Sequence, residues 1–312
     1  MYDLIIVGLG PAGLTAAIYA SRYRLKNLLI GKILGGTITL AHKVENYPGF
    51  EAISGLEWAQ KTEAQAKKLG SEVVYGTVGR LEKTNDGFKA LLDDKRQFEA
   101  KTLILATGSE RRRLGVTGEE KYQGRGVSYC TTCDITFFKD KIVALVGGSD
   151  AAVSGSVHAA EFAKKVYVVY RKDKLRAEPI WVEQVLKNPK IEVVYNTNIT
   201  EILGEEKVSG VKLDNPYNGL AILALDGVFI EIGSVPGTSL VVGLGVGLDE
   251  KGFVKVGEDM ATNIAGVFAA GDFTDKAQVL VQMTTACAQG AIAAASVFKF
   301  LKGQKAPQIL GV

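Results

Sequence analysis

The sequence is poor in the residues that build metal centres and extracellular disulfide scaffolds. It has three cysteines, Cys130, Cys133 and Cys287, and two histidines, His42 and His158. An odd, low cysteine number excludes a secreted disulfide framework, and two scattered histidines suggest no metal site. Charge of one sign is also scarce. The formal net charge is +3 over 312 residues, too small to argue for nucleic acid or an anionic membrane as partner. The longest basic run, Arg111-Arg112-Arg113, is accounted for by a solvated loop. No basic leader and no small-residue cleavage site accompany the strand-like start at Asp3, so a targeting segment is not expected and a cytoplasmic location is. Residues 277–298 carry no charge and have the length of a membrane span. Gln278, Gln282, Thr284, Thr285 and Gln289 fall within them, which favours a buried helix of a soluble protein. Tandem repeats and low-complexity segments are missing.

What is present is the composition of a globular α/β chain, 47% hydrophobic and 23% charged, with 36 glycines. The length suits two domains, each able to bury a core. LIIVGLGPAG at 4–13 reads as strand, tight turn and helix start, followed by a helix over 14–24 and a second strand at 27–31. KIVALVGGSDAA at 141–152 repeats the pattern, with its second strand at 166–171. Two such starts predict an α/β fold with two Rossmann-like nucleotide-binding domains. TLILATGSE at 102–110 and GVFAAGD at 266–272 are further buried strands ending in small-residue turns. The second lies beyond the repeat, so the first domain is expected to be discontinuous, with the second inserted. The boundaries are placed at 1–113 and 241–312 for the first domain and 114–240 for the second. Residues 72–101 alternate in strand fashion and are expected to form a small extra sheet.

Gly8-x-Gly10-x-x-Gly13 follows a strand and opens a helix. The first glycine makes the turn, the second admits a pyrophosphate, the third lets helix and strand pack, and the anion sits on the helix N-terminus. The acid expected about 20 residues on, for a ribose hydroxyl, is replaced by the run Gly31, Lys32, Ile33, Leu34. Cys130-Thr131-Thr132-Cys133-Asp134 is the sharpest feature. Cysteines three apart at a helix start share a face and can bridge, and a helix N-terminus favours the reactive thiolate. Half of a zinc site is the competing reading, but two more ligands are lacking. Asp134 suits either a proton donor to a departing thiolate or a helix N-cap. Cys287, in a small-residue helix, reads as buried packing. In the second glycine loop, Gly147-Gly148-Ser149-Asp150-Ala151-Ala152, Ser149 stands where a glycine permits close backbone approach. Arg171, Lys172 and Arg176 follow the next strand, where a ribose 2′-phosphate needs cations; a solvated basic loop is the alternative.

Over nearly its whole length the chain resembles the low-molecular-weight thioredoxin reductases. The likeness runs through GLGPAG, VENYPGF at 44–50, ATG at 106–108, GVSYCTTCD at 126–134, the second glycine loop, YRKDKLRA at 170–177 and GVFAAGD. The resemblance implies FAD in the outer domain, on Gly8, Gly10, Pro11, Ala12 and Gly13 of the first loop. Gly31, Gly36, Thr37, Asn46, Val78, Ala106, Thr107 and Gly108 follow, and Gly271, Asp272, Gln282 and Met283 complete the set. The family's GGQ is Gly35-Gly36-Thr37 here, and its Arg-Gln pair is Val281-Gln282. The resemblance further implies NADPH in the inner domain, on Gly148, Ser149, Asp150, Ala151, Arg171, Lys172 and Arg176. In the family that domain rotates to present either nicotinamide or disulfide to the flavin. Cys133 is then the flavin-facing sulfur, Cys130 the attacker of the partner's disulfide, Asp134 the acid, thioredoxin or a similar dithiol protein the partner, and a homodimer the assembly.

Other readings keep part of this. A flavin-dependent dithiol reductase with a donor other than NADPH is suggested by Ser149 and the Val153-Ser154-Gly155 run. A related flavoprotein oxidase or ferredoxin reductase is opposed by the CxxC. A nucleotide-binding module with a structural disulfide ranks last.

Overall fold

The computed structural model describes residues 1–304. It opens with β1 (Tyr2–Val7), α1 (Pro11–Arg22) and β2 (Asn27–Gly31). Leu4, Ile5 and Ile6 of β1 are fully buried, the continuous apolar run of a parallel strand covered on both faces. Each such side chain contributes about 1.5–3 kcal/mol by burial. Pro11 starts α1 with its φ already helical. After α2 (Gly55–Lys68), capped by Ser54 through the Glu57 N–H, come β3 (Glu72–Tyr75), β4 (Val78–Thr84), β5 (Gly87–Leu92) and β6 (Gln97–Leu105). They form one sheet in the order β3-β2-β1-β6-β5-β4. The small separate sheet expected over 72–101 is therefore an extension of the main one. β3 pairs in parallel with β2, while β4 and β5 join through the first half of β6, whose nine residues serve both the antiparallel and the parallel part.

The chain then crosses through β7 (Ser109–Arg111) into β8 (Val127–Ser128), α3 (Thr131–Asp134), β9 (Ile142–Val146), α4 (Asp150–Phe162), β10 (Lys165–Val169), α5 (Pro179–Lys187) and β11 (Ile191–Val194). A three-stranded antiparallel sheet follows, from β12 (Ile199–Gly204), β13 (Val208–Tyr217) and β14 (Leu220–Ala224). With β15 (Gly227–Ile230), the parallel sheet of this unit runs β11-β10-β9-β15-β8. β16 (Ser234–Pro236) leads back beside β7. The return segment holds α6 (Ser239–Val242), β17 (Val267–Ala269), which pairs with β6, and α7 (Met283–Lys302).

Two compact units result, 1–110 with 236 onward, and 111–235. The crossings fall a few residues before the expected 113 and 240, at the point where β7 and β16 pair. The uncharged stretch 277–298 is divided between a 3-10 turn, Asp275–Val279, and α7, which packs on α1. A Cβ on Gly290 would stand 2.1 Å from the Ala12 carbonyl oxygen, so the bare backbone of Gly290 lets α7 come close to α1. Among the described residues no helix is long and apolar enough to cross a membrane.

Candidate active site

In each unit the strand order reverses beside the central strand. β1 lies between β2 and β6, and β9 lies between β10 and β15. The crevice at the carboxyl ends of such strands is where a doubly wound sheet takes its ligand, and both glycine loops sit there.

The first loop is shaped by two demands of the protein and one vacancy. Gly8 has φ +123°, and a Cβ on it would stand 2.0 Å from the Ala106 carbonyl oxygen at the end of β6. A Cβ on Gly13 would stand 1.8 Å from the Gly8 carbonyl oxygen. Neither can carry a side chain. Gly10 differs, because its nearest neighbour would be the Gly35 carbonyl oxygen at 3.9 Å. No described residue forbids a side chain at Gly10; the open backbone there, at the uncapped N-terminus of α1, fits a diphosphate. Gly36 approaches Gly10, Gly271 approaches Ala12, and Gly31 packs on Leu9. Ala106 bonds through its N–H to the Val7 carbonyl, and the Thr107 hydroxyl to the Gly237 carbonyl. A Cβ on Gly108 would meet nothing within 4 Å among the described residues.

Asp272 follows β17 by three residues. Burial alone pushes its carboxyl above the ordinary carboxylate range, and it accepts no hydrogen bond through its side chain among the described residues. A half-buried acceptor of this kind fits a hydroxyl-bearing ligand. Its turn is pinned by a residue that the sequence offered only as a reason against a membrane span. Gln289 Oε1, buried in α7, accepts from the Gly271 N–H at 2.7 Å and lies 3.1 Å from the Thr274 hydroxyl. Asn46 and Gln282, 236 residues apart, meet at 3.3 Å through Nδ2 and Oε1. Thr37 is exposed on a 3-10 turn, Met283 opens α7 buried, and Val78 opens β4 buried. No hydrogen bond ties Val78 to the loop among the described residues. Cys287 is buried, with its sulfur 3.8 Å from the Tyr47 hydroxyl and from the Pro11 carbonyl, and burial pushes its thiol up.

The second loop repeats the frame and fills the vacancy. Gly147, at φ +141°, would place a Cβ 2.4 Å from the Glu231 carbonyl oxygen after β15, as Gly8 does against Ala106. Ser149 holds the place of Gly10 and caps α4 without a side-chain hydrogen bond. A Cβ on Gly148 would meet three atoms of the Tyr170 ring at 2.5 Å, so this glycine is required by the protein itself. The Gly148 carbonyl accepts from the Arg176 N–H at 2.6 Å, and Asp150 Oδ1 accepts from the Glu178 N–H at 2.7 Å. The segment after β10 thus closes on the loop and brings its cations with it. Arg171, Lys172 and Arg176 are exposed, and among the described residues none of them forms an ion pair.

Cys130 and Cys133 form a disulfide, with Cα atoms 5.3 Å apart. Cys130 is the N-cap of α3, and its sulfur accepts from the Cys133 N–H at 3.0 Å. That donor stabilises a thiolate at Cys130. α3 is a single turn that passes into a 3-10 turn, Ile135–Phe138, so the preference comes from this local N–H rather than from a long helix. Cys130 is half-buried and Cys133 exposed. Asp134 does not cap through its side chain, because Cys130 occupies the cap. Its Oδ2 accepts from the buried Ser128 hydroxyl at 2.7 Å, and that hydroxyl oxygen accepts from the Cys130 N–H at 3.0 Å. Ser128 therefore joins carboxylate and cysteine, a role invisible in sequence spacing. Four residues past Cys133, Phe137 is 80% exposed.

Comparison with known proteins fits this geometry. The model of the pyridine nucleotide-disulphide oxidoreductases matches residues 2–292. The thioredoxin reductase of Listeria innocua is 41% identical over 98% of this chain and 95% of its own. That of Bacillus subtilis is 41% identical over 97% and 95%. The crystal structure of Lactococcus lactis thioredoxin reductase in its FR conformation matches with a TM-score of 0.92, at 38% identity, over 97% of this chain and 100% of that one. Two switch-point glycine loops, a Cys-x-x-Cys disulfide in the inserted unit and this likeness over the whole length place the chain in the pyridine nucleotide-disulphide oxidoreductase family, among its thioredoxin reductases.

Proposed function

We propose that the chain is a thioredoxin-disulfide reductase that moves electrons from NADPH, by way of FAD, to the Cys130–Cys133 disulfide and on to thioredoxin or a similar small dithiol protein. The observation that carries this reading is the Cys130–Cys133 disulfide in the unit that also holds the second glycine loop. The first loop, Asn46, Asp272 and Gln282 would hold FAD, which when bound passes electron pairs between a nicotinamide and a disulfide. The nucleotide would lie on the second loop, with its 2′-phosphate toward Arg171, Lys172 and Arg176. A homodimer is part of the proposal by family likeness.

The chemistry of the chain's own groups follows from their placement. In the reduced pair, the Cys133 N–H favours the thiolate at Cys130, which attacks one sulfur of the partner's disulfide. The partner's second sulfur leaves as a thiolate, and Asp134, held by Ser128, supplies its proton. Cys133 then passes its proton to Asp134 and attacks Cys130 in the mixed disulfide; the intramolecular disulfide re-forms, the partner's remaining sulfur leaves as a thiolate and takes that proton, and the partner departs as a dithiol. Exposed Phe137 offers an apolar contact beside the pair.

The test is turnover with a thioredoxin disulfide. Cys130→Ser and Cys133→Ser each lose it by more than about a thousandfold, since either sulfur alone cannot close the cycle, while both keep bound flavin. Cys130→Ser also develops a thiolate–flavin charge-transfer band. Near-normal turnover in either variant would overturn the assignment. Cys287→Ser stays close to wild type.

A further inference from the structure

A buried charged pair lies beside the CxxC turn, and the exchange chemistry does not use it. Glu231, the residue after β15, is 4% exposed. Its Oε2 accepts from Arg111 Nη1 at 2.5 Å, and its Oε1 accepts from the Thr131 hydroxyl at 3.2 Å. Thr131 is the residue next to Cys130 and is itself buried. A Cβ on Gly155 would stand 3.3 Å from the Thr131 hydroxyl oxygen, so α4 closes over that hydroxyl. The Glu231 N–H bonds to the Val146 carbonyl at 2.9 Å, and its own carbonyl packs on Gly147. Arg111 belongs to β7, the first crossing strand, and its Nε is buried with no partner among the described residues. One carboxylate therefore joins a crossing strand, the end of β9 and the first of the two residues between the cysteines.

Stability does not account for this arrangement. A buried ion pair is commonly matched or surpassed by apolar residues of the same volume. Burial also pushes the Glu231 carboxyl upward, against the pull of Arg111. What the pair does hold is the backbone and the charge next to Cys130.

We propose that Glu231, paired with Arg111 and bonded to the Thr131 hydroxyl, is a positioning residue that lowers the reduction potential of the Cys130–Cys133 couple. The proposal rests on the redox role of the two cysteines. In that couple the disulfide takes up two electrons and, where Cys130 stays ionised, one proton, and becomes one thiol at Cys133 and one thiolate at Cys130. Two effects act in the same direction. Anchoring Thr131 keeps the sulfurs at bonding distance, which favours the disulfide. The carboxylate offsets Arg111, which on its own would favour the thiolate. A couple whose reduced form is stabilised is the stronger oxidant, so loss of the Glu231 charge raises the potential, and loss of the Thr131 anchor raises it further.

The test is the midpoint of the couple in the full-length flavoprotein, measured anaerobically in dithiothreitol buffers by differential alkylation and mass mapping of Cys130 and Cys133. Glu231→Gln shifts the equilibrium about tenfold toward the dithiol, or about 30 mV upward for a two-electron couple. Thr131→Val, nearly isosteric, removes the anchor alone and shifts it about threefold, or about 15 mV. In the double variant Arg111→Met/Glu231→Gln both charges are gone while the amide oxygen still accepts from the Thr131 hydroxyl, and the midpoint returns to within about twofold of wild type. Midpoints within twofold of wild type in both Glu231→Gln and Thr131→Val would overturn the proposal. An undiminished shift in the double variant would overturn its electrostatic half. Thr131→Val keeps the test open if Glu231→Gln does not fold. Failure of the dithiol reading itself is separate, because it shows as retained thioredoxin turnover in Cys130→Ser or Cys133→Ser.

Discussion

The two glycine loops are built on one plan and finished differently. In both, the first glycine clears the carbonyl at the end of the neighbouring strand, Ala106 in one case and Glu231 in the other. In the first loop the middle position, Gly10, is bare, and a Cβ there would meet no described residue beyond its chain neighbours closer than 3.9 Å. In the second loop that position is Ser149, Gly148 is packed under Tyr170, and Asp150 is already bonded to the Glu178 N–H. Among the described residues Asp272 in the first unit has no such side-chain partner. A glycine that the protein itself does not require points to a ligand. A glycine wedged under a side chain of its own domain points to packing. The first loop is therefore ready for a tightly held dinucleotide, and the second for a looser one that is bound and released.

The largest expected effect breaks the first loop at its tightest contact. Gly13→Ala sets a methyl group 1.8 Å from the Gly8 carbonyl oxygen, and the helix must move off the strand. Flavin bound per purified chain, read by absorbance, should fall by at least about a hundredfold, on the scale of a 3 kcal/mol loss of binding. The corresponding place in the second loop is already Ala152, and Ala152→Gly should leave nucleotide binding within about twofold, on the scale of 0.4 kcal/mol.

Exchanging the middle residues tests the comparison directly. Gly10→Ser should weaken FAD by about tenfold or more, because its Cβ and hydroxyl enter the space left for the diphosphate. Ser149→Gly should tighten NADPH by up to about tenfold, seen as faster anaerobic bleaching of the flavin at limiting nucleotide. If Ser149→Gly leaves that rate unchanged, packing by Tyr170 rather than Ser149 limits the second loop. Neither nucleotide bleaching the flavin while dithiothreitol does would point to another electron donor.

A similar effect concerns the cations. A charge-assisted phosphate contact contributes about 1.5–3 kcal/mol, so NADPH should outrun NADH by about tenfold or more. Arg171→Ala should remove most of that preference while leaving NADH rates alone. Equal bleaching by the two nucleotides in wild type would return the cluster to a solvated loop.

The smallest effect is a pH dependence at Asp272. Burial raises the Asp272 carboxyl in the ligand-free protein. Its contribution to apo stability is therefore full below the unfolded pKa and is lost as pH rises through the raised value. A hydroxyl donor from FAD favours the ionised form and reverses the sign, so FAD affinity should rise with pH across the same window. Flavin retention measured over pH 4 to 8, a span of about four units around the ordinary carboxylate range, should show this slope in wild type and lose it in Asp272→Asn.

Much of this was legible in the chain because it is local. Gly8, Gly10 and Gly13 lie within one strand–turn–helix, Cys130 and Cys133 within one turn, and the repeat of the pattern near 141–152 announced a second unit. The extra sheet was misread because alternation in 72–101 reports strands but not the long β6 that recruits β4 and β5 into the main sheet. Asp134 could be read as a cap or as an acid, and the choice needed Ser128 and the discovery that Cys130 itself caps the turn.

Chain-local chemistry thus determined the class of fold, the two glycine turns and the reactive pair, since backbone clearance and a three-residue cysteine spacing act over a few bonds. Only the tertiary structure decided which groups hold them. Gln289 behind Gly271, Gln282 on Asn46, Tyr170 over Gly148, and Arg111 with Glu231 beside Thr131 are contacts between residues 18 to 236 positions apart. Hydrogen bonds and packing operate over about 3–4 Å of space, whatever the distance along the chain, and that distance is all a sequence records.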